Sequence, residues 1–283
     1  MNFGDLPLEF SSRDSAAIRI LPVPYDGTST WGKGADKGPQ AILDASAHME
    51  LYDIETGTEV YRRGIYTAPP VACTDDPESM ADAVQGAMAS ALEAGAFPVL
   101  LGGEHSVSIG AFRAAATQYR DLTILQLDAH TDLRREYDGS RYNHACVMSH
   151  ARSLSPIVQV GIRSMDRGEL PAVERERIFY AHELDAGDDW MERAVNQLSQ
   201  SVYITVDLDV FDPSVMPSTG TPEPGGLQWP RVMQLLEKVA QSTRIVGFDV
   251  VELCPNEFDR APDFLAAKLV YRLLSMVFCR CDE

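Results

Sequence analysis

The chain has 283 residues and carries 24 Lys and Arg against 42 Asp and Glu, a formal net charge of −18 at pH 7. Neutralising phosphates takes clustered Lys and Arg, so this balance argues against a nucleic-acid partner. With 45% hydrophobic and 23% charged residues, the composition is that of a folded globular chain and not of a disordered one.

From the N-terminus, MNFGDLPLEFSSRD shows neither a basic stretch nor an apolar core, so no secretory signal is expected. No apolar run reaches the roughly 18 residues of a membrane span, so no membrane association is expected. Five scattered cysteines (Cys73, Cys146, Cys254, Cys279, Cys281) do not form a disulfide framework, and a cytoplasmic location follows as the expectation. The terminal Cys279–Cys281 pair lacks the second thiol pair of a zinc site.

Along the chain, short β-branched apolar runs predict strands at 17–23, 97–101, 122–127, 156–162, 201–208 and 243–250. Between them, apolar residues at three- and four-residue spacing predict helices at 38–48, 78–95, 106–119, 187–198, 229–241 and 262–278. Strand alternating with helix from end to end predicts a three-layer α/β/α fold on a mostly parallel sheet. No linker or repeat interrupts the pattern, so residues 1–283 are expected to form a single domain. The Pro/Gly-rich stretch 213–230 directly follows a strand, and is read as an ordered loop over the sheet's carboxyl edge, where open α/β sheets bind ligands.

Three strands end in residues that ligate metals. Strand 122–127 runs into Asp128-Ala129-His130-Thr131-Asp132, strand 201–206 into Asp207-Leu208-Asp209, and strand 97–101 into Gly102-Gly103-Glu104-His105-Ser106. In an extended chain, side chains two apart project to one side, so Asp128, His130 and Asp132 can converge, as can Asp207 and Asp209. A lone Asp-x-Asp more often caps a loop; three such segments at three strand ends are harder to dismiss. Four converging carboxylates would repel one another, and two divalent cations remove the repulsion where one would not. Carboxylates with imidazole and no thiolate favour Mn²⁺. Paired ions of this kind lower the pKa of a water between them, so the chemistry expected is hydrolysis.

The motifs GGEHS (102–106), DAHTDLR (128–134), HA (144–145) and VDLDVFDPSVMPSTGTPEPGGL (206–227) resemble those of the ureohydrolase family of arginases and agmatinases, and look closest to the agmatinases. YDGTSTWGKGADKGPQAI (25–42) and FDVVE (248–252) add to the likeness. The resemblance implies an arginase-like fold and two Mn²⁺ ions. It implies His105, Asp128, Asp132 and Asp207 as ligands of one ion, with Asp128, His130, Asp207 and Asp209 for the other. It also implies a homo-trimer or homo-hexamer, and a small cationic guanidino substrate yielding urea and an amine.

Within the same resemblance, His144 matches the family's proton-shuttle histidine, a role suited to imidazole near pH 7. Glu252 matches the glutamate that pairs with the guanidinium, whose planar N–H groups suit a bidentate carboxylate. Read as isolated residues, His144 would be a surface histidine and Glu252 a cap before Pro255. Trp31 is expected in the channel wall or the core, and Asp212 as either a support for the metal ligands or a loop cap. His48, His150 and His182 match no motif.

The substrate's tail is read less directly. Asp166 or Glu136 would suit an ammonium tail, and Arg134 or Arg135 a carboxylate. Agmatine ranks first, a guanidino acid such as 4-guanidinobutanoate second, and arginine or formiminoglutamate after them. Two readings from other classes are a dimetal phosphoesterase, for which only Arg134 and Arg135 offer a phosphate clamp, and a non-catalytic oligomeric scaffold.

Overall fold

The computed structural model describes residues 2–187 and 189–279. Cys281, one of the C-terminal cysteine pair, lies outside them. Eight strands form one sheet: β1 (Ile18–Val23), β2 (Ile65–Thr67), β3 (Phe97–Gly102), β4 (Leu122–Leu127), β5 (Ile157–Ile162), β6 (Ile178–Tyr180), β7 (Ser201–Asp207) and β8 (Arg244–Val251). Their order is β2-β1-β3-β8-β7-β4-β5-β6, with every neighbouring pair parallel. The helices are α1 (Leu8–Ser11), α2 (Gly38–Ser46), α3 (Pro77–Glu93), α4 (Ser108–Gln118), α5 (Val147–Leu154), α6 (Asp189–Val195), α7 (Trp229–Ser242) and α8 (Ala261–Phe278).

Helices cover both faces, which is why the strands read as unbroken apolar runs. On one face, Ile42 of α2, Trp190 of α6, Leu236 of α7 and Leu273 of α8 pack with Val99, Leu125, Val158 and Ile204. On the other, Val84 of α3, Phe112 of α4 and Met148 of α5 pack with Leu100, Ile124 and Tyr203. The expected three-layer α/β/α architecture is therefore present. Gly110 permits the close seating of α4 on α3, since a Cβ there would lie 2.3 Å from the Ala81 carbonyl oxygen.

The six expected strands are all present. Sequence reading missed both edge strands, β2 and β6, because three residues each (IYT and IFY) give no periodic run to detect. It also missed two short helices, the four-residue α1 and α5, which follows the one-turn segment His144–Cys146.

Strand order places the site. The chain leaves β3 for β4 across two positions that β7 and β8 fill later, so the four central strands are β3, β8, β7 and β4. Each releases polar residues at its carboxyl end, into the crevice where the winding reverses.

Candidate metal centre

Beyond β4, Asp128 accepts the His130 backbone N–H at 2.5 Å through Oδ1 and the Gln126 side-chain amide at 2.7 Å through Oδ2. Asp132 adopts a left-handed φ of 52°, and its carbonyl receives the Met148 and Ser149 N–H groups that open α5. Beyond β7, Asp207 Oδ1 accepts the Asp209 N–H at 2.9 Å, and Asp209 Oδ1 accepts the Ala129 N–H at 2.9 Å, tying the two strand ends together. Beyond β3, a one-turn 3₁₀ segment, His105–Val107, turns the His105 ring towards both.

These elements bring the six expected ligand positions into one cluster. His105 Nδ1 lies 3.2 Å from Asp128 Oδ2, 3.2 Å from Asp132 Oδ2 and 3.3 Å from Asp207 Oδ2. His130 Nδ1 lies 2.9 Å from Asp209 Oδ2 and 3.6 Å from Asp128 Oδ1. Two groups have the spacing to hold a metal ion, His105–Asp128–Asp132 and Asp128–His130–Asp209, and Asp128 belongs to both. Asp207 belongs to neither and reaches the first through His105.

The His105 environment tests whether a cation fits. His105 is 1% exposed, and its Nε2 lies 2.9 Å from Thr205 Oγ1, whose single proton goes to Asp249 Oδ1. Nε2 therefore donates, so a neutral ring would turn a bare Nδ1 lone pair to the three carboxylates, and against burial Asp128, Asp132 and Asp207 raise the ring well above its ordinary value to put a positive charge there. A buried lone pair facing three carboxylate oxygens is repulsive, and a cation between them makes every contact attractive. The acids' own ionisation agrees. Burial, with Asp128 beside it, pushes Asp132 up to about 7, and burial with Asp209 and Asp128 pushes Asp207 well above the carboxylate range. Burial would lower His130, yet Asp209 and Asp128 outweigh it and push the ring to about 12. The residues fit divalent metal.

An open cleft of about 260 Å³ lies over the cluster, lined among others by His144, Glu252, Arg134, Asp166 and Tyr137. Glu252 follows β8 with a left-handed φ of 67°, and its Oε1 accepts the His105 N–H at 2.7 Å. Burial and the nearby Glu104 push its carboxyl well upward. Non-glycine residues held at positive φ store strain of order 1–3 kcal/mol and tend to sit at functional sites. His144 stands in a turn capped by Asn143, whose Oδ1 accepts the Ala145 N–H, and its Nδ1 lies 3.1 Å from Thr28 Oγ1. Burial, with His105 and His130 near, holds this ring down at about 4, in its neutral form.

At the rim, Arg134 stacks over Tyr137 at 4.6 Å, and its Nη2 lies 3.8 Å from Asp166 Oδ2. Arg135 and Glu136 line a second cavity of about 880 Å³ that shares Arg134, Asp166 and Glu169 with the first cleft. Trp31 is 83% exposed and stands neither in the core nor on the cleft wall, which Thr30 reaches instead. Asp212 is a loop cap: it accepts from Ser214, Gly225 and Gly226, and these bonds hold its carboxyl down at about 2.

Several supporting residues escaped sequence reading. Thr205 and Asp249 aim His105. Gln126 faces Gln159 across β4 and β5, and their amides hold Asp128 Oδ2 and the His130 and Thr131 carbonyls. Buried Glu169 accepts from Thr131 Oγ1 and Leu133 N, and closes a capping box with Asp166. Signals existed: a glutamine in an otherwise apolar strand, and Asp followed three residues later by Glu.

The fold and the acid-rich cleft define a metal-binding α/β hydrolase. The arginase family model matches residues 16–275, and the chain belongs to the arginase family. It is thus a hydrolase acting on carbon–nitrogen bonds of linear amidines. It is 36% identical over 275 residues to an N(1)-aminopropylagmatine ureohydrolase of Synechocystis, covering 93% of this chain and 90% of that protein. It is 38% identical over 277 residues to the N(1)-aminopropylagmatine ureohydrolase of Thermus thermophilus, covering 95% and 94%. The crystal structure of the agmatine ureohydrolase of Thermoplasma volcanium superposes with a TM-score of 0.88 at 30% identity, covering 98% of this chain and 97% of that one.

Proposed function

We propose that residues 1–283 form one ureohydrolase domain that cleaves a guanidino amine, agmatine first, to urea and the free amine. Two Mn²⁺ ions would be held by His105, Asp128, His130, Asp132, Asp207 and Asp209. The observation that carries this reading is His105 Nδ1 set against three carboxylate oxygens at 3.2, 3.2 and 3.3 Å, an arrangement that calls for positive charge between them. When bound, the metal pair supplies Lewis acidity and makes water a nucleophile near neutral pH.

The chain's own groups position the substrate. Glu252 Oε1 is engaged by the His105 N–H, which leaves Oε2, beside Gly220, to pair with the planar guanidinium and fix its central carbon. Attack by water on that carbon yields a tetrahedral species whose collapse requires protonation of the leaving amine. His144 delivers that proton. Asp166 receives the ammonium tail. Arg134 is stacked over the Tyr137 ring, which turns its guanidinium to the aromatic face and disfavours a carboxylate tail.

A longer amine, such as an aminopropyl-extended agmatine, is the second reading. The adjoining cavity gives such a tail room, and the Synechocystis and Thermus relatives carry that substrate in their names. Assembly as a homo-trimer or homo-hexamer belongs to the same proposal, and light scattering tests it.

The test is urea release by the manganese-loaded protein from agmatine, its aminopropyl derivative, 4-guanidinobutanoate and arginine, with chelated protein alongside. Metal-dependent urea from one or both amines is expected. No urea from any of the four sinks the proposal, and urea from 4-guanidinobutanoate alone moves the tail contact to Arg134. His144→Ala should keep both ions and lower kcat by about 100-fold.

A further inference from the structure

Two residues within the matched motifs are left without a role by the metal centre and the substrate contacts: Thr28 in the loop after β1 and Glu104 in the loop after β3. Both touch the His144 network. Gly103 brings the loops together, since a Cβ there would lie 1.9 Å from the Tyr25 carbonyl oxygen, and the Glu104 N–H donates to that same oxygen at 2.9 Å.

Glu104 is 0% exposed, and every hydrogen bond to it comes from a donor. Its Oε2 accepts from Ser106 N at 2.7 Å. Its Oε1 accepts from Ser106 Oγ at 2.7 Å, Thr28 Oγ1 at 2.9 Å and Thr28 N at 3.3 Å. Burial raises this carboxyl, yet each of its oxygens faces a backbone N–H, from Ser106 and from Thr28, and accepting all four bonds at once takes the carboxylate. The Thr28 hydroxyl has one proton, and this arrangement commits it to Glu104. Its lone pairs then accept the His144 backbone N–H at 3.0 Å and face His144 Nδ1 at 3.1 Å. With its only proton spent, Thr28 cannot donate to Nδ1, so Nδ1 must carry the proton and donate to Thr28.

We propose that Thr28 and Glu104 are positioning residues that lock His144 in its Nδ1–H tautomer, so that Nε2 is the nitrogen that exchanges protons with the substrate. This rests on His144 being the proton shuttle. In the neutral ring the Nε2 lone pair takes up the proton that water releases as it adds to the guanidinium carbon. The Nε2–H bond then breaks as the proton passes to the leaving amine nitrogen, and the Nδ1–H bond to Thr28 stays intact throughout. In the opposite tautomer Nε2 would already hold a hydrogen and could accept nothing. A misassigned tautomer with intact geometry costs a triad hydrolase about four orders of magnitude, which shows how much rests on this choice.

The experiment compares Thr28→Val, which keeps shape and loses the hydroxyl, with Thr28→Ser, which keeps the hydroxyl, each as manganese-loaded holoenzyme. Metal content, KM and kcat for urea release from the best substrate are measured for both, for His144→Ala, and for the Thr28→Val/His144→Ala double variant. Thr28→Val is expected to lower kcat by about 10- to 100-fold with KM and metal content retained, while Thr28→Ser returns to within about threefold of the parent. In the double variant kcat should be no lower than with His144→Ala alone, because Thr28 acts only through that ring. Glu104→Gln should follow Thr28→Val in lowering kcat and not KM. A Thr28→Val enzyme with unchanged kcat overturns the tautomer lock while leaving the shuttle intact, if His144→Ala is impaired. Further loss in the double variant overturns it as well, by showing that Thr28 acts elsewhere. Full activity of His144→Ala removes the shuttle reading itself, and the lock with it.

Discussion

Two regions of the molecule bury charge in opposite ways. On α8, Arg272 is 4% exposed and donates to Asp53 Oδ1 at 2.5 Å and to Glu55 Oε2 at 2.6 Å; Asp53, 1% exposed, also accepts from Thr56 N and Oγ1. Each charge in that seam has its partner within the chain. At the carboxyl edge of β3, β4, β7 and β8, four aspartates and Glu252 converge on two imidazoles, and the cleft wall offers one arginine and no lysine. Compensated burial fastens an element, whereas convergent uncompensated burial waits for a cation. Net charge could not separate the two, because both regions add acid to the same total.

The sharpest way to break the comparison is to remove one acid from each region. Asp207→Asn should lower metal-dependent urea release by more than about a thousandfold, since it strips charge from the metal cluster. In metal-free protein the same change should raise thermal stability, because it relieves the repulsion that holds Asp207 far above the carboxylate range. Asp53→Asn should do the reverse, lowering stability with the metal content intact. Calorimetry of both variants in chelator decides the matter: shifts of the same sign would erase the distinction.

Arg272→Met sharpens it from the other side. Losing the cation strands Asp53 in the interior, and stranding one partner of a buried pair typically costs about 3–5 kcal/mol. The paired change Arg272→Met/Asp53→Leu should recover much of that loss. Chemical denaturation measures both, and a double variant as unstable as the single would show that the seam depends on shape and not on pairing.

Acidity should act on the regions with opposite sign. Hydrogen bonds from Arg272 and Thr56 outweigh burial and hold Asp53 below its ordinary value. Its stabilisation is present above the unfolded carboxylate pKa of about 3.9 and is lost as pH falls through the folded value. Asp132 behaves oppositely in metal-free protein. With a folded pKa of about 7, it binds a proton more readily in the folded state, so stability declines as pH rises from about 4 to 7. Asp207 and Glu252, also raised, act in the same sense, and together with Asp132 they outweigh His144, whose lowered value works the other way. Melting temperature in chelator should therefore fall across that range, and manganese should flatten the slope. A slope unchanged by metal would place the ionisation elsewhere.

The sequence revealed these regions unequally. The metal cluster was legible because strand periodicity puts residues two apart on one side, and three strand ends carry ligating residues. Its supports were less visible. Nothing local links Thr205 to Asp249 or Thr28 to His144, since those contacts exist only once β7 lies beside β8 and two distant loops meet. The α8 seam was invisible for the same reason, with Arg272 and Asp53 separated by 219 positions. Trp31 misled because aromatic residues usually bury, whereas this one sits in a loop whose neighbour Gly32 takes the contact with Gly220.

The smallest effect should come from Asp212, a compensated acid placed beside the uncompensated cluster. It receives neutral donors only, from Ser214, Gly225 and Gly226, and with them closes the loop that runs from the end of the metal-bearing segment back to Leu227. Were it a support for the metal ligands, Asp212→Asn would weaken metal binding by 10- to 100-fold, as loss of such partners typically does. As a loop cap, it should cost about 1 kcal/mol or less, because Asn keeps an acceptor for the Ser214 bonds and loses charge in a partly solvated position. Manganese affinity and melting temperature measured on this one variant separate the two roles: affinity held within about twofold with a small drop in melting temperature assigns Asp212 to the fastening class, next door to acids of the other kind.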